Sequence, residues 1–142
     1  MVRSAEARAR LVPAMIASNQ DKTATAPLTV ILAADYQFTD LLPTLFPVFP
    51  EAADIVFGRP EVREDSARLN AALQIAYFIL GVRALGLAAG PMSGFDADTV
   101  DREFFPDGRC HSLVIVNIGI PGQDAFYPRF PRLDYEQVFT TI

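Results

Sequence analysis

The sequence predicts one α+β domain that shares part of its core with a partner. Three observations carry this reading. Two continuous apolar runs, residues 28–34 (LTVILAA) and 112–120 (SLVIVNIGI), have the length and branching of buried strands. A long helical pattern over residues 61–86 is apolar nearly all round, so it needs cover on both sides. Finally, 51% of the 142 residues are hydrophobic, slightly above the ~45–50% usual for soluble domains. A chain of this length suits one domain with a true core. Its apolar excess points to a surface that another subunit covers.

The elements follow in order. Residues 4–18 read as one helix, capped by Ser4, built on Ala5, Ala7 and Ala9, and broken or kinked at Pro13. Its abrupt charged start looks like the middle of something. Residues 28–34 form a strand after Pro27. Residues 36–60 carry Pro43, Pro47, Pro50 and Pro60 between Phe38, Phe46, Phe49 and Phe57. The prolines forbid regular structure. The aromatics demand packing, so this segment reads as an ordered lid or channel wall.

The 61–86 helix has Leu69, Leu73, Tyr77 and Leu80 on one face and Ile75, Phe78, Ile79 and Val82 on the other. Gly86 stops it. Residues 87–96 give a short strand and a turn. Asp96 caps a helix over 97–105. Residues 121–133 form an irregular arm rich in proline and aromatics, and Asp134 opens a last short helix.

Composition excludes several chemistries. One cysteine, Cys110, rules out an intrachain disulfide and any Cys-x-x-Cys site. One histidine, His111, rules out a two-histidine metalloprotease helix, and no metal site is expected. The single lysine, Lys22, follows no glycine loop, so there is no P-loop. Only Gly58 occurs before residue 81, which removes a dinucleotide-binding glycine turn. The net charge is −5, with acidic residues spread evenly, which argues against nucleic acid. No apolar stretch approaches the ~20 residues of a membrane span, and the charged opening is no signal peptide. These features read as a soluble, cytoplasmic protein.

Three places could carry chemistry. Ser93 lacks the elbow glycines of a hydrolase, because Pro91 and Phe95 stand at those positions. His111 could serve it as a base, but a polar residue at a strand mouth is the better reading. Arg129 and Arg132 sit in a rigid arm, and eleven of the twelve basic residues are arginine, suited to phosphate. Ordinary pairing with Asp134 or Asp124 is favoured over that from spacing alone. In the turn Pro91, Met92, Ser93, Gly94, the glycine allows a planar ligand to approach or supplies a positive φ. The positive φ is the safer of the two readings.

The segments RALGLAAGPMSGFDADTVDREFFPDGR, SLVIVNIGI and YPRFPRLDYEQV together resemble the flavin-dependent nitroreductase family. KTATAPLTVILAAD, LLPTLFP and RLNAALQIAYFIL extend the resemblance from about residue 4 to the end. The nearest branch resembles the malonic semialdehyde reductases. The resemblance implies one nitroreductase-like α+β domain over 1–142, with a central mixed or antiparallel sheet flanked by helices. It implies a homodimer with FMN at the subunit interface and residues 121–142 reaching the partner.

Pro91 and Met92 resemble the residues along the flavin ring, and Ser93 and Gly94 the pair beside its redox nitrogen. Many relatives have glutamate at the position of Ser93. Arg132, and more loosely Arg129, resemble the arm arginines on the FMN phosphate. The implied activity passes hydride from NAD(P)H through the flavin to a small aldehyde, nitroaromatic or quinone, with no catalytic side chain of the protein's own.

The family's two N-terminal helices, which carry a phosphate-gripping segment, fall before the residue aligned with Met1. The sequence therefore reads as N-terminally truncated, or as having a misplaced start. The alternative reading is a non-catalytic remnant or dimerising module unable to hold FMN.

Overall fold

The structure, a computed structural model, describes residues 1–123 and 125–142. Residues near the start do not form one helix. Helix α1 (Ala5–Leu11) gives way to a 3-10 turn (Val12–Ala14) that contains Pro13, and α2 (Ala17–Thr25) follows. Pro13 therefore breaks the helix, and Met15 and Ile16 turn extended before α2 restarts. Ser4 caps α1 by accepting the Ala7 N–H at 3.0 Å. Arg8 then reaches across to the end of α2. It donates to Thr23 O at 2.8 Å and also to Ala26 O, so one guanidinium satisfies carbonyls that the helix end leaves open.

Strand β1 (Leu28–Asp35) comes next. Residues 36–60 are more regular than the prolines suggested. They hold a 3-10 turn (Phe38–Leu41) and two single-turn helices, α3 (Leu42–Leu45) and α4 (Ala52–Ile55). Pro43 lies in the first turn of α3, where its missing N–H costs nothing. Helix α5 (Pro60–Ala84) begins on a proline for the same reason, and Gly86, at φ 77°, ends it. Strand β2 (Ala88–Met92), helix α6 (Ala97–Phe104), strand β3 (Cys110–Gly119) and helix α7 (Tyr135–Val138) complete the chain.

The sheet has the order β1-β3-β2 and is antiparallel throughout. β3 is the centre. Its register sets Thr29 opposite Asn117 and Gly90 opposite Asn117 on the other side. Alternate side chains of β3 feed two cores. Ile115 packs with Leu11, Met15, Met92 and Val100 under α1 and α6. Val116 and Ile118 pack with Val30 and Val82 under α5. The result is helices, sheet, helix in three layers. Val2 extends the sheet beyond β1 through a bridge to Thr29.

Helix α6 depends on its cap. Asp96 accepts the Thr99 N–H at 3.2 Å and the Thr99 hydroxyl at 2.6 Å. The hydroxyl above all, then the N–H, holds the Asp96 carboxyl below its ordinary value. A lowered carboxyl stabilises the fold above the ordinary carboxylate range, and that contribution is lost as pH falls through the lowered value. Asp96→Ala should therefore lower the Tm at about pH 7, and the gap from the parent should close towards about pH 3. Thermal melts across that range check this, and a constant gap would contradict it.

Candidate functional site

Residues 91–94 leave the sheet at the end of β2. Pro91 and Ser93 are exposed, Met92 is buried and Gly94 is half-buried. β2 is an edge strand, where Pro91 costs no ladder bond. The Gly94 carbonyl accepts both the Ile16 N–H and the Asn19 amide at 3.1 Å. A Cβ at Gly94 would press on Ile16 and sit 2.9 Å from Asn19 Nδ2. The positive φ expected there is not found, because Gly86 and Gly108 are the positive-φ glycines among the described residues. Gly94 is a glycine because the start of α2 lies against it.

Beside this turn lies a cleft of about 360 Å³ along the β2 edge, lined among others by Lys22, Pro27, Gly90, Pro91, Met92 and Asn117. Asn117 reaches the cleft because its β2 neighbour, Gly90, has no side chain to cover it. Behind the cleft runs a line of polar groups. Thr29 Oγ1 lies 2.8 Å from Asn117 Oδ1, Asn117 Nδ2 lies 3.2 Å from Thr23 Oγ1, and both Thr23 and Asn117 approach Met92 Sδ. Thr23 and Thr29 are fully buried.

Sequence reasoning missed Lys22, Asn19, Thr23 and Asn117. Asn117 left a signal, as the lone amide inside the apolar run LVIVNIGI. Lys22 and Asn19 left none, because nothing in the sequence showed α2 folding onto the 91–94 turn.

The structure does not bring the arm arginines to this turn. Arg132 donates to Phe130 O at 2.8 Å and Pro131 O at 3.2 Å, both on its own arm. The pairing with Asp134 expected from spacing is not found among the described residues, and Asp124 lies outside them. Neither does His111 serve Ser93. Its Nδ1 lies 3.3 Å from Asp101 Oδ2, and its ring stacks on Tyr36 at 4.2 Å. Burial pushes the Cys110 thiol up, away from the reactive thiolate.

A second cavity, of about 700 Å³, opens at the other edge of the sheet. Phe38, Leu41, Leu45 and Phe57 wall it on one side and α5 on the other. Phe38 and Phe57 meet edge to face at 5.1 Å. Arg109 pins the entrance of this segment, donating to Asp35 at 2.8 Å, Asp40 at 3.1 Å and Gln37 O at 3.1 Å.

The outer face of α5 stays open, with Leu69 63% and Tyr77 76% exposed, and Leu73 and Leu80 beside them. The arm after β3 is open too, down to Tyr127 at 85%. No helix among the described residues is long and apolar enough to cross a membrane.

The fold is a layered antiparallel domain with a hydrogen-bonding edge cleft and a broad open apolar face. The nitroreductase family model matches residues 1–120, and the chain belongs to that family. A Streptomyces griseus relative, provisionally named NADH dehydrogenase/NAD(P)H nitroreductase, is 57% identical across the whole chain, which spans 72% of that relative. A Rhodopseudomonas palustris relative of the same provisional name is 52% identical over 135 residues, 95% of this chain and 68% of its own. Among solved structures, a provisionally named nitroreductase from Bacillus subtilis superposes with TM-score 0.85 at 20% identity, over 99% of this chain and 75% of that one. Another from Exiguobacterium sibiricum, solved in complex with FMN, gives 0.80 at 20% identity over 99% and 73%. These likenesses show the fold.

Gly94→Ala should destabilise the chain by about 1–2 kcal/mol. Ile16 is half exposed and can swing aside, whereas Asn19 is held by the carbonyl it bonds. Urea unfolding measures the cost, and unchanged stability would remove the packing account of this glycine.

Proposed function

We propose that the chain binds FMN in the cleft along β2, as a homodimer, and uses NAD(P)H to reduce a small organic acceptor. The observation that carries the reading is the cleft itself. It joins an open strip at Gly90, the Asn117 amide and the lone lysine, Lys22, beside the 91–94 turn. This set suits a flat, hydrogen-bonding ring that gains negative charge on reduction. The volume lies within the range of cofactor sites, and a side chain at Gly90 would fill the strip. The names of the Streptomyces and Rhodopseudomonas relatives and the FMN complex from Exiguobacterium support the same cofactor and co-substrate.

When bound, FMN supplies the hydride-accepting and hydride-donating centre. Residues of this chain would bind and orient it. Pro91 and Met92 give an apolar edge for the ring. Ser93 and Gly94, in the turn beside the cleft, would offer the ring their backbone. Lys22 places positive charge beside the cleft. Arg132 and Arg129 hold the phosphate, which requires the arm to engage across a dimer, since they do not reach the cleft of their own chain.

The acceptor is the finer question. The resemblance implied a malonic semialdehyde-like aldehyde, whose carboxylate needs a cation. Among the described residues no cation lines the aromatic cavity, and its one charged lining residue, Asp35, is already paired with Arg109. That favours an uncharged nitroaromatic or quinone against this wall in the assembled dimer. NADH and NADPH oxidation with FMN present, compared across malonic semialdehyde, a quinone and a nitroaromatic, tests the reading. Turnover of the uncharged acceptors is expected. Preference for the semialdehyde would restore the branch assignment, and no FMN-dependent turnover would remove the proposal.

Arg132→Ala should weaken FMN binding about ten- to hundredfold, as expected for a lost charged hydrogen bond. It should leave the melting temperature alone, because Arg132 bonds only to Phe130 O and Pro131 O among the described residues. Flavin fluorescence titration reads this. Unchanged affinity would return Arg132 to ordinary surface charge.

A further inference from the structure

We infer that Asn117 is a positioning residue. It is the middle of a one-way hydrogen-bond chain that fixes the Met92 turn against α2. The inference rests on the FMN reading only for its functional consequence.

The polarity of the chain follows from its members. Asn117 Nδ2 is a donor only, so Thr23 Oγ1 accepts from it at 3.2 Å. That assignment puts Oδ1 towards Thr29, whose hydroxyl must then donate to it at 2.8 Å. Thr23 has its own proton left, and Met92 Sδ lies 4.0 Å away to receive it. The Asn117 amide also approaches that sulfur, at 3.9 Å. Every donor therefore points the same way, from β1 through β3 and α2 to the end of β2. Chains of this kind polarise one another, and buried members are costly to leave unpaired.

The chain adds a side-chain link to elements that the backbone ties elsewhere, through the β1 and β2 ladders to β3 and the Ile16 N–H on the Gly94 carbonyl. Thr29 and Asn117 share a cross-strand row, but α2 meets β2 here only through side chains. α2 carries Lys22, one residue before Thr23, and Met92 opens the 91–94 turn. Together with the Ile16 and Asn19 bonds to the Gly94 carbonyl at the start of α2, the chain sets the position of the lysine relative to the turn, which is the geometry a flat ligand in the cleft would meet. A purely apolar contact between these elements would permit sliding and would not need four matched polar groups.

Thr29→Val tests this from the far end, because Thr29 neither lines the cleft nor bonds Met92. In the flavin-free chain, the Met92 methyl NMR resonance should shift and broaden in Thr29→Val and in Thr23→Val. Thr23→Ser, which keeps the hydroxyl, should restore it. Titrated with FMN, Thr29→Val and Thr23→Val should each bind about tenfold more weakly, the effect of one lost buried hydrogen bond. Thr23→Val combined with Asn117→Leu should bind no worse than Asn117→Leu alone.

An unmoved Met92 resonance, or strictly additive losses, would overturn the inference. If Thr23→Val does not fold, Thr29→Val alone decides. A parent chain that fails to bind FMN would instead overturn the FMN reading, and the Met92 resonance would still judge the hydrogen-bond chain.

Discussion

A strand that is paired on both edges and buried on both faces can sit only at the centre of a layered domain. β3 is that strand. Ile115 and Val116 are fully buried on opposite faces, and β1 and β2 occupy its two edges. Everything that positions the cleft is referred to it. Asn117 points from the same strand into the site, so the register that fills the cores also places the amide. A shift of one residue would send Asn117 into the core beneath α5 and Val116 into the cleft.

Two of the places where the described residues leave apolar surface uncovered are the outer face of α5 and the arm beyond β3. They share a physical cause. A helix apolar all round gains from burial on both sides, and one sheet covers only one of them. An arm of aromatics and prolines without regular structure gains little from folding on itself. Association with a second copy would cover both and would carry the arm arginines to where a phosphate could use them.

Much of the fold was legible in the sequence. Strands β1 and β3 and helix α5 stood out because continuous branched runs and a long helical period are strong signals, β2 was read only as a short strand before a turn, and Gly86 and Asp96 marked real ends. The early helical stretch was read as broken or kinked at Pro13, and Pro13 does break it. The restart beyond the break went unread. The chain restarts as α2, whose polar sequence (ASNQDKTAT) offers no apolar stripe to detect. That miss propagated to the site. Without α2, the reason for Gly94 was invisible, and a positive φ looked the simpler account. The short helices α3 and α4 were hidden because prolines that forbid a helix interior are welcome in a first turn.

If FMN lies between two chains, cofactor binding and association are one event. Sedimentation velocity of the chain with added FMN, followed at the visible flavin absorbance, tests it most directly. Flavin is expected to sediment with a species of two chains, and none with a single chain. Flavin moving with a monomer would contradict it, and so would a dimer that sediments free of flavin at saturating FMN.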